Sequence, residues 1–269
     1  MKAILVHIDS DEGQGARLRA AIDLARAYGG HVCCLQVTPY AAVTMVDPFT
    51  GAVAMPELVE ALREQSAAQR TAIEPQLRRA GIAWDWTCRD GDSTERLCEA
   101  ARLADVVVMS CGPFENDIRG EVGRTGDVAI DAPVAVLAVA PHHAGLDVQG
   151  KALVAWDGSQ GAATALRAAL PMLRLAQAVD ILTVGDVQTD YPAAAAAAYL
   201  SHHGIAAEVI LRGYDGGSVE SVIRGVLTER RSAWLVQGAY GHSRWREALF
   251  GGVTRGMLAA APVPLVMAR

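Results

Sequence analysis

The sequence predicts two tandem α/β domains, each a doubly wound, five-stranded parallel sheet. Three observations support this. Short continuous apolar runs alternate with helical patterns along the whole chain. Strands that read as unbroken apolar runs belong to parallel sheets covered on both faces. The chain also repeats itself in order, as a duplicated domain does. "ILVHIDSDE" (Ile4–Glu12) matches "ALVAWDGSQ" (Ala152–Gln160), aligning Asp9 with Asp157. "AGIAWDWTCR" (Ala80–Arg89) matches "HGIAAEVILR" (His203–Arg212), and "APVAVLAVA" (Ala132–Ala140) matches "APVPLVMAR" (Ala261–Arg269). Between the copies, "PHHAGLDVQG" (Pro141–Gly150) has no periodicity and suits a linker. The predicted domains are residues 1–141 and 150–269.

In the second domain the predicted strands are Ala152–Trp156, Val179–Val184, Ile205–Leu211, Ala233–Gln237 and Val263–Met267. Helices are expected near Gln160–Leu175, Pro192–His202, Gly217–Glu229 and Glu247–Ala260. "YPAAAAAAYL" sets a proline at a helix start before six alanines, the strongest helix formers. The first domain gives the same order, with a longer second helix near Pro56–Ala80 that Pro75 is expected to kink or end. It also carries extra residues around Pro39–Pro56. In doubly wound sheets, ligands sit beyond the carboxyl ends of the strands.

Composition excludes several classes. Half of the 269 residues are apolar and a fifth are charged, as in ordinary globular proteins. No apolar run reaches the roughly 18 residues that span a bilayer, and the N-terminus turns acidic too early for a signal peptide. The reading is a cytoplasmic protein with no membrane partner. Residues 1–150 hold 13 Lys+Arg and 21 Asp+Glu, whereas residues 151–269 hold 11 and 9. The second half is thus the one suited to a polyanion. The scattered basic residues and acidic total exclude a nucleic-acid stripe. The five cysteines, Cys33, Cys34, Cys88, Cys98 and Cys111, form no Cys-x-x-Cys pair. They read as small buried apolar thiols in a reducing compartment. His142–His143 and His202–His203 have no ligand set nearby, so no metal site is read. His7, in a strand, reads as a satisfied core histidine.

The stretch that carries chemistry is "VQGAYGHSRWREALFGGVTRGML", Val236 to Leu258. Gly238 follows the fourth strand directly, where a missing Cβ lets backbone amides face a ligand. Gly251 and Gly252 precede Val253, Thr254 and a helical pattern, and a helix N-terminus attracts phosphate. Arg244 and Arg246 are placed to close over an anion. Asp157, past the first strand, offers a carboxylate to an adenine or ribose, or caps the helix starting near Gln160, as Ser159 equally could. Val184 ends the second strand with a backbone edge free for a base. Trp156 reads as packing.

Gly238-x-x-Gly241, nine residues and then Gly251 resembles the signature of the universal stress protein family, and the likeness covers nearly the whole chain as two copies. The resemblance implies an α/β sandwich of the adenine nucleotide α-hydrolase (HUP) type with strand order 3-2-1-4-5. Its last strand would pair across a dimer interface, here as an internal pseudo-dimer, with a homodimer left open. It implies ATP, with Mg2+ or Mn2+ carried by the phosphates. The contacts would come from Trp156, Asp157, Val184, Gln237, Gly238, Tyr240, Gly241, Gly251, Gly252, Val253 and Thr254. The implied role is a stress-response sensor or regulator with an unknown protein partner and slow hydrolysis at most. There is no positioned base, nucleophile elbow or Walker lysine.

Two departures stand out. Gly252 occupies the family's Ser/Thr position. In the first domain "SCGPFENDIRGEVGRTGDVAIDAP" does not reproduce the glycine spacing, and Glu115, Asp117 and Glu121 would repel phosphate. The first domain is expected to be nucleotide-free. The rival function is a nucleotide-free dimerisation module. Gly238→Val is expected to abolish binding and leave the fold intact.

Overall fold

A computed structural model of the protein describes residues 1–38, 44–47, 51–54, 56–112, 120–187, 189–213, 217–239 and 252–269, with backbone alone at 44–47, 51–54, 56 and 121. The first half runs β1 (Ala3–Ile8), α1 (Gln14–Tyr28), β2 (His31–Thr38), a hairpin β3 (Thr44–Asp47) and β4 (Gly51–Ala54), and α2 (Pro56–Ala80). It continues with β5 (Ala83–Asp90), α3 (Ser93–Ala100), a 3₁₀ turn at Ala101–Leu103, β6 (Val106–Ser110), α4 (Glu121–Asp131) and β7 (Ala135–Val139). The second half repeats the plan without the hairpin: β8 (Ala152–Ala155), α5 (Gln160–Leu173), β9 (Val179–Val184), α6 (Ala193–His202) and β10 (Ala207–Arg212). Then come α7 (Val219–Arg230), β11 (Trp234–Gly238), α8 (Gly252–Ala259) and β12 (Leu265–Ala268).

One ten-stranded sheet threads both halves in the order β10-β9-β8-β11-β12-β7-β6-β1-β2-β5. Each half, counted by its own sheet strands, is 3-2-1-4-5, as the resemblance implies. Pairing is parallel within each half. The junction is antiparallel, with Leu265 opposite Ala138, Val266 opposite Leu137 and Met267 opposite Val136. The internal pseudo-dimer is therefore formed by the two last strands. They read "AVLAV" and "LVMA" and are buried throughout, so each covers the other's open edge.

The core lies in two layers that cross the junction. One packs α1, α2, α5 and α6 onto the sheet through Leu18, Leu24, Leu77, Leu166, Met172 and Leu200. The other packs α3, α4, α7 and α8 through Leu97, Val128, Ile223, Leu227, Met257 and Leu258. The linker is irregular, as read, but it is fastened to α1. Arg19 donates from Nε to the Ala144 carbonyl (2.7 Å), Leu146 N–H donates to Asp23 Oδ2 (2.9 Å), and Leu146 and Val148 are buried.

One expectation is met in its bounds and two need correction. The helix expected near Pro56–Ala80 forms over those residues, and of the kink or end expected at Pro75 the end does not occur: α2 continues to Ala80. A proline inside a helix costs about 3 kcal/mol. Ile73 and Leu77, flanking it, are buried, and full burial of such side chains contributes about 1.5–3 kcal/mol each. Packing therefore carries the helix through. The third strand of the second half starts at Ala207 rather than Ile205, because Ile205 is still closing the end of α6 through its N–H to the Leu200 carbonyl. Of the thiols, all of which are free, Cys34 and Cys111 are buried, but Cys88 is exposed, because β5 is an edge strand. Among the described residues, no helix is long and apolar enough to cross a membrane.

Leu137, fully buried and paired with Val266, sits at the junction. Leu137→Ala is expected to cost about 2–5 kcal/mol, measured as a lowered urea midpoint, with tryptophan signals from both halves moving together.

Candidate functional site

At the carboxyl ends of β8, β9 and β11 the second half opens into a cavity of about 650 Å³, within the usual range for ligand pockets. Ala155, Leu182 and Val184 line it from the strands, Val219 and Ile223 from α7, and Gly252, Val253 and Thr254 from the start of α8. The walls are mostly apolar. Asp157 is the one ionisable side chain among the described lining residues.

The local chemistry explains each position. Ser159 caps α5, its Oγ accepting from Ala162 N–H (3.1 Å), while Asp157 Oδ1 accepts from Ser159 N–H (2.9 Å). Of the two candidate caps, the serine is the helix cap. The exposed Asp157 fixes the turn before it and stays at the pocket mouth. Trp156 is packing, as read: it is buried, and its indole N–H donates to the Tyr191 carbonyl (2.8 Å).

Gln237 is buried at the end of β11. Its Nε2 donates to Met267 Sδ (3.6 Å), and its Oε1 has no partner among the described residues. A buried amide oxygen without a donor costs about 1–3 kcal/mol. The residue borders the cavity, so a ligand donor that reaches the amide on a small side-chain movement would satisfy it.

Gly238 serves a different purpose from the one expected. A Cβ there would meet Ala162 N at 2.7 Å and Gly161 C at 2.8 Å, both backbone atoms. The glycine lets α5 approach the strand end, and Gly238→Val would disturb the fold rather than leave it intact. Gly252 is the opposite case: a Cβ there meets nothing within 4 Å among the described residues.

Of the residues implied by the resemblance, Trp156, Asp157, Val184, Gln237, Gly238, Gly252, Val253 and Thr254 gather around this one cavity. Tyr240, Gly241 and Gly251, with His242, Arg244 and Arg246, lie outside the described residues. Sequence reasoning missed Ala155, Leu182, Thr189, Val219 and Ile223. Apolar positions in a core pattern carry no sign that they face a void. Only the repeat held a signal, because Ala155 aligns with the bulkier, polar His7.

That comparison shows how the first half differs. The strand pairings put Ile4 opposite Val106 and Ala152 opposite Trp234, so the two halves can be read in register. His7 then stands where Ala155 does, Gln14 at Ala162, Arg17 at Ala165, Ser110 at Gly238, Arg124 at Val253 and Thr125 at Thr254. Arg17 is fully buried. Its Nε donates to the His7 carbonyl (2.6 Å), its NH2 pairs with Asp11 Oδ2 (2.7 Å) and reaches Gln14 Oε1 (2.9 Å), and its NH1 donates to Ser110 Oγ. Thr125 Oγ donates to the Ser110 carbonyl (2.6 Å), and Arg124 pairs with Asp9 at 3.6 Å. Side chains thus fill the place that the second half leaves open.

His7 is buried, as expected, but it is not satisfied: neither ring nitrogen has a hydrogen-bond partner among the described residues. Burial first, then the Arg17 and Arg124 charges, hold its pKa well below the usual histidine range.

A family model described as the universal stress protein family matches residues 1–139. The match falls on the half whose glycine spacing is lost. Among solved structures, a universal stress protein from Archaeoglobus fulgidus DSM 4304 aligns with a TM-score of 0.74 at 16% identity, covering 99% of this chain and 96% of that one. A functionally unknown protein from Pseudomonas aeruginosa PAO1 aligns with a TM-score of 0.61 at 15% identity, covering 100% and 92%. At such identities these likenesses show the fold. A search of curated proteins finds no match.

Arg17→Ala, which installs the residue of the second half, strands Asp11. Breaking a buried pair is expected to cost about 3–5 kcal/mol, read by chemical denaturation. His7 makes the fold acid-sensitive. Below a pH of about 6.5 the unfolded chain takes up a proton that the folded site refuses, so stability falls as pH falls. Buried His143, held down to about 4 by burial and His142, adds to the same slope. His7→Leu is expected to flatten, without abolishing, the decline in urea midpoint between about pH 7 and 5.

Proposed function

The chain belongs to the universal stress protein family, and on that premise we propose that its second half binds an adenine nucleotide, ATP, with Mg2+ or Mn2+ carried by the phosphates. The observation that carries the reading is the cavity at the carboxyl strand ends. It combines an apolar floor, an unpartnered buried amide oxygen and an uncrowded helix N-terminus. Each feature suits one part of the ligand. The apolar walls from Leu182, Val184 and Ile223 match a purine face. Gln237 Oε1 seeks a donor such as an exocyclic amine. Asp157 suits ribose hydroxyls. The amides of Gly252, Val253 and Thr254 open α8, and helix starts favour phosphate.

The role we assign is a sensor or regulator rather than a catalyst. Nucleotide would favour one position of the start of α8, and so bias what a partner meets. In the first half the corresponding place is filled by the Arg17–Asp11 pair and His7, which supports a nucleotide-free first half. The rival reading, a nucleotide-free dimerisation module, draws on the missing hydroxyl at Gly252. Against it, the last strands of both halves are already paired within one chain.

Gly252 offers the cleanest test, because a Cβ there meets no neighbour among the described residues. Gly252→Asp places a carboxylate where helix stability tolerates it but phosphate does not. It is expected to weaken Mg·ATP binding at least about tenfold at unchanged melting temperature. Gly252→Ser restores a hydroxyl and is expected to tighten binding by about tenfold. Calorimetry with Mg·ATP measures both. Absence of heat with the folded native chain sinks the proposal.

A further inference from the structure

The outer strand pair of the first half gathers three donors of different chemistry. His31 and Cys33 lie two residues apart on β2 and so share one face. Asp85, on β5, pairs directly with Cys33 in the register. His31 Nε2 lies 2.8 Å from Asp85 Oδ2, and the His31, Cys33 and Asp85 donor atoms all lie within 4.8 Å of one another. The His31 and Asp85 side chains are 44% and 54% exposed, so an ion has access. Burial and the Asp85 charge push the Cys33 thiol up to about 11, and the thiol hydrogen-bonds to the carboxylate. One carboxylate thus faces both the imidazole and the thiol.

The repeat supplies an independent observation. At the same register in the second half, Asp180 on β9 pairs with Glu208 on β10. There Arg230, at the end of α7, grips Asp180 through Nε (2.8 Å) and NH2 (3.0 Å), and also pairs with Glu208. That position therefore holds a cation. Arg230 stands four residues before β11, and the residue four before β6 is Arg102. Arg102 is exposed and forms no ion pair with Asp85 among the described residues. The first half keeps the anionic pocket, exchanges one carboxylate for a thiol, adds an imidazole and withdraws the guanidinium.

We propose that His31, Cys33 and Asp85 bind a divalent transition-metal ion of the Zn2+ type, with water as the fourth ligand. Mixed nitrogen, sulfur and oxygen donors are those that Zn2+ takes. Bond lengths of about 2.0–2.3 Å put tetrahedral donors about 3.3–3.8 Å apart. Rotamer adjustments within the present cluster reach that spacing. On binding, the Cys33 Sγ–H bond breaks, the sulfur keeps the electron pair and donates it to the ion, and the proton leaves to solvent. His31 binds through the Nε2 lone pair with its proton on Nδ1. Asp85 remains a carboxylate throughout.

Sequence reasoning passed over this set because Asp85 is distant in the chain and His31-x-Cys33 alone is no ligand spacing. The test is a titration of the full chain with Co2+ under reducing conditions. The expected result is one ion per chain, with a thiolate-to-cobalt charge-transfer band and tetrahedral d–d bands that Zn2+ abolishes. Cys33→Ser removes the charge-transfer band. His31→Ala and Asp85→Asn each weaken binding by at least about tenfold, with circular dichroism showing an intact fold at these exposed positions. Cys88→Ser, an exposed thiol further along β5, leaves the spectrum unchanged. No band with Co2+, a band that survives Cys33→Ser, or affinity unaltered in both exposed-site variants overturns the proposal.

Discussion

The constraint on which this molecule depends is the antiparallel contact of β7 with β12. A parallel five-stranded sheet whose fifth strand is wholly apolar cannot leave that edge in water, because open backbone groups beside buried side chains invite another chain. Here the other chain is the second copy of the same domain. Ala138, Leu137 and Val136 meet Leu265, Val266 and Met267, and both core layers become continuous across the seam. Helix packing reinforces it. Gly112, just past β6, donates its N–H to the Leu258 carbonyl (2.8 Å), and a Cβ there would lie 2.6 Å from the Ala259 carbonyl oxygen. A glycine that invited comparison with a phosphate loop is instead where the first half touches α8 of the second.

Duplication freed the two copies to diverge at the same place. Both present strand ends, a helix start and an aspartate past the first strand. In the second copy the neighbouring positions are Ala155, Ala162, Ala165 and Gly238, and a cavity results. In the first they are His7, Gln14, Arg17 and Ser110, and a polar cluster results. The cluster is not an inert plug. A fully buried guanidinium is tolerated because Asp11, Gln14, Ser110 and the His7 carbonyl together saturate it. The unsatisfied imidazole of His7 is a cost the first half bears for filling a space its twin leaves open.

The fold was legible in the sequence because periodicity and repetition are averaged over many residues. Unbroken runs such as "VVVMS" and "AVLAV" announce buried parallel strands whatever their exact ends. The paired "APV" segments announced which strands would sit at the same sheet position. The site was partly legible. Glycines and the aspartate stand out, and the described ones do converge. What could not be read was the reason for each glycine. Gly238 serves helix approach, Gly252 is uncrowded by the described residues, and only neighbours distant in sequence separate these cases. Nor could the loss of glycine spacing after β6 reveal that Gly123 and Thr125 still stand at the register of Gly252 and Thr254. The spacing changed in the loop, not at the helix. At Pro75 the helix end that a local rule allows did not occur, because burial of Ile73 and Leu77 carries α2 on to Ala80.

The antiparallel seam also fixes where the two halves act. Because β7 and β12 run oppositely, the carboxyl strand ends of the halves face opposite edges of the ten-stranded sheet. The open cavity and its filled counterpart are therefore not adjacent, and neither can lend a residue to the other. Besides the β7–β12 pairing itself, the halves meet in the helical layers, where α4 lies beside α8. The start of α8 borders the cavity, while its far end receives the Gly112 contact. A short helix of eight residues thus joins the cavity at one end to the domain seam at the other. A shift at its N-terminus would reach the seam, because close-packed interiors compress little and pass strain on to their neighbours.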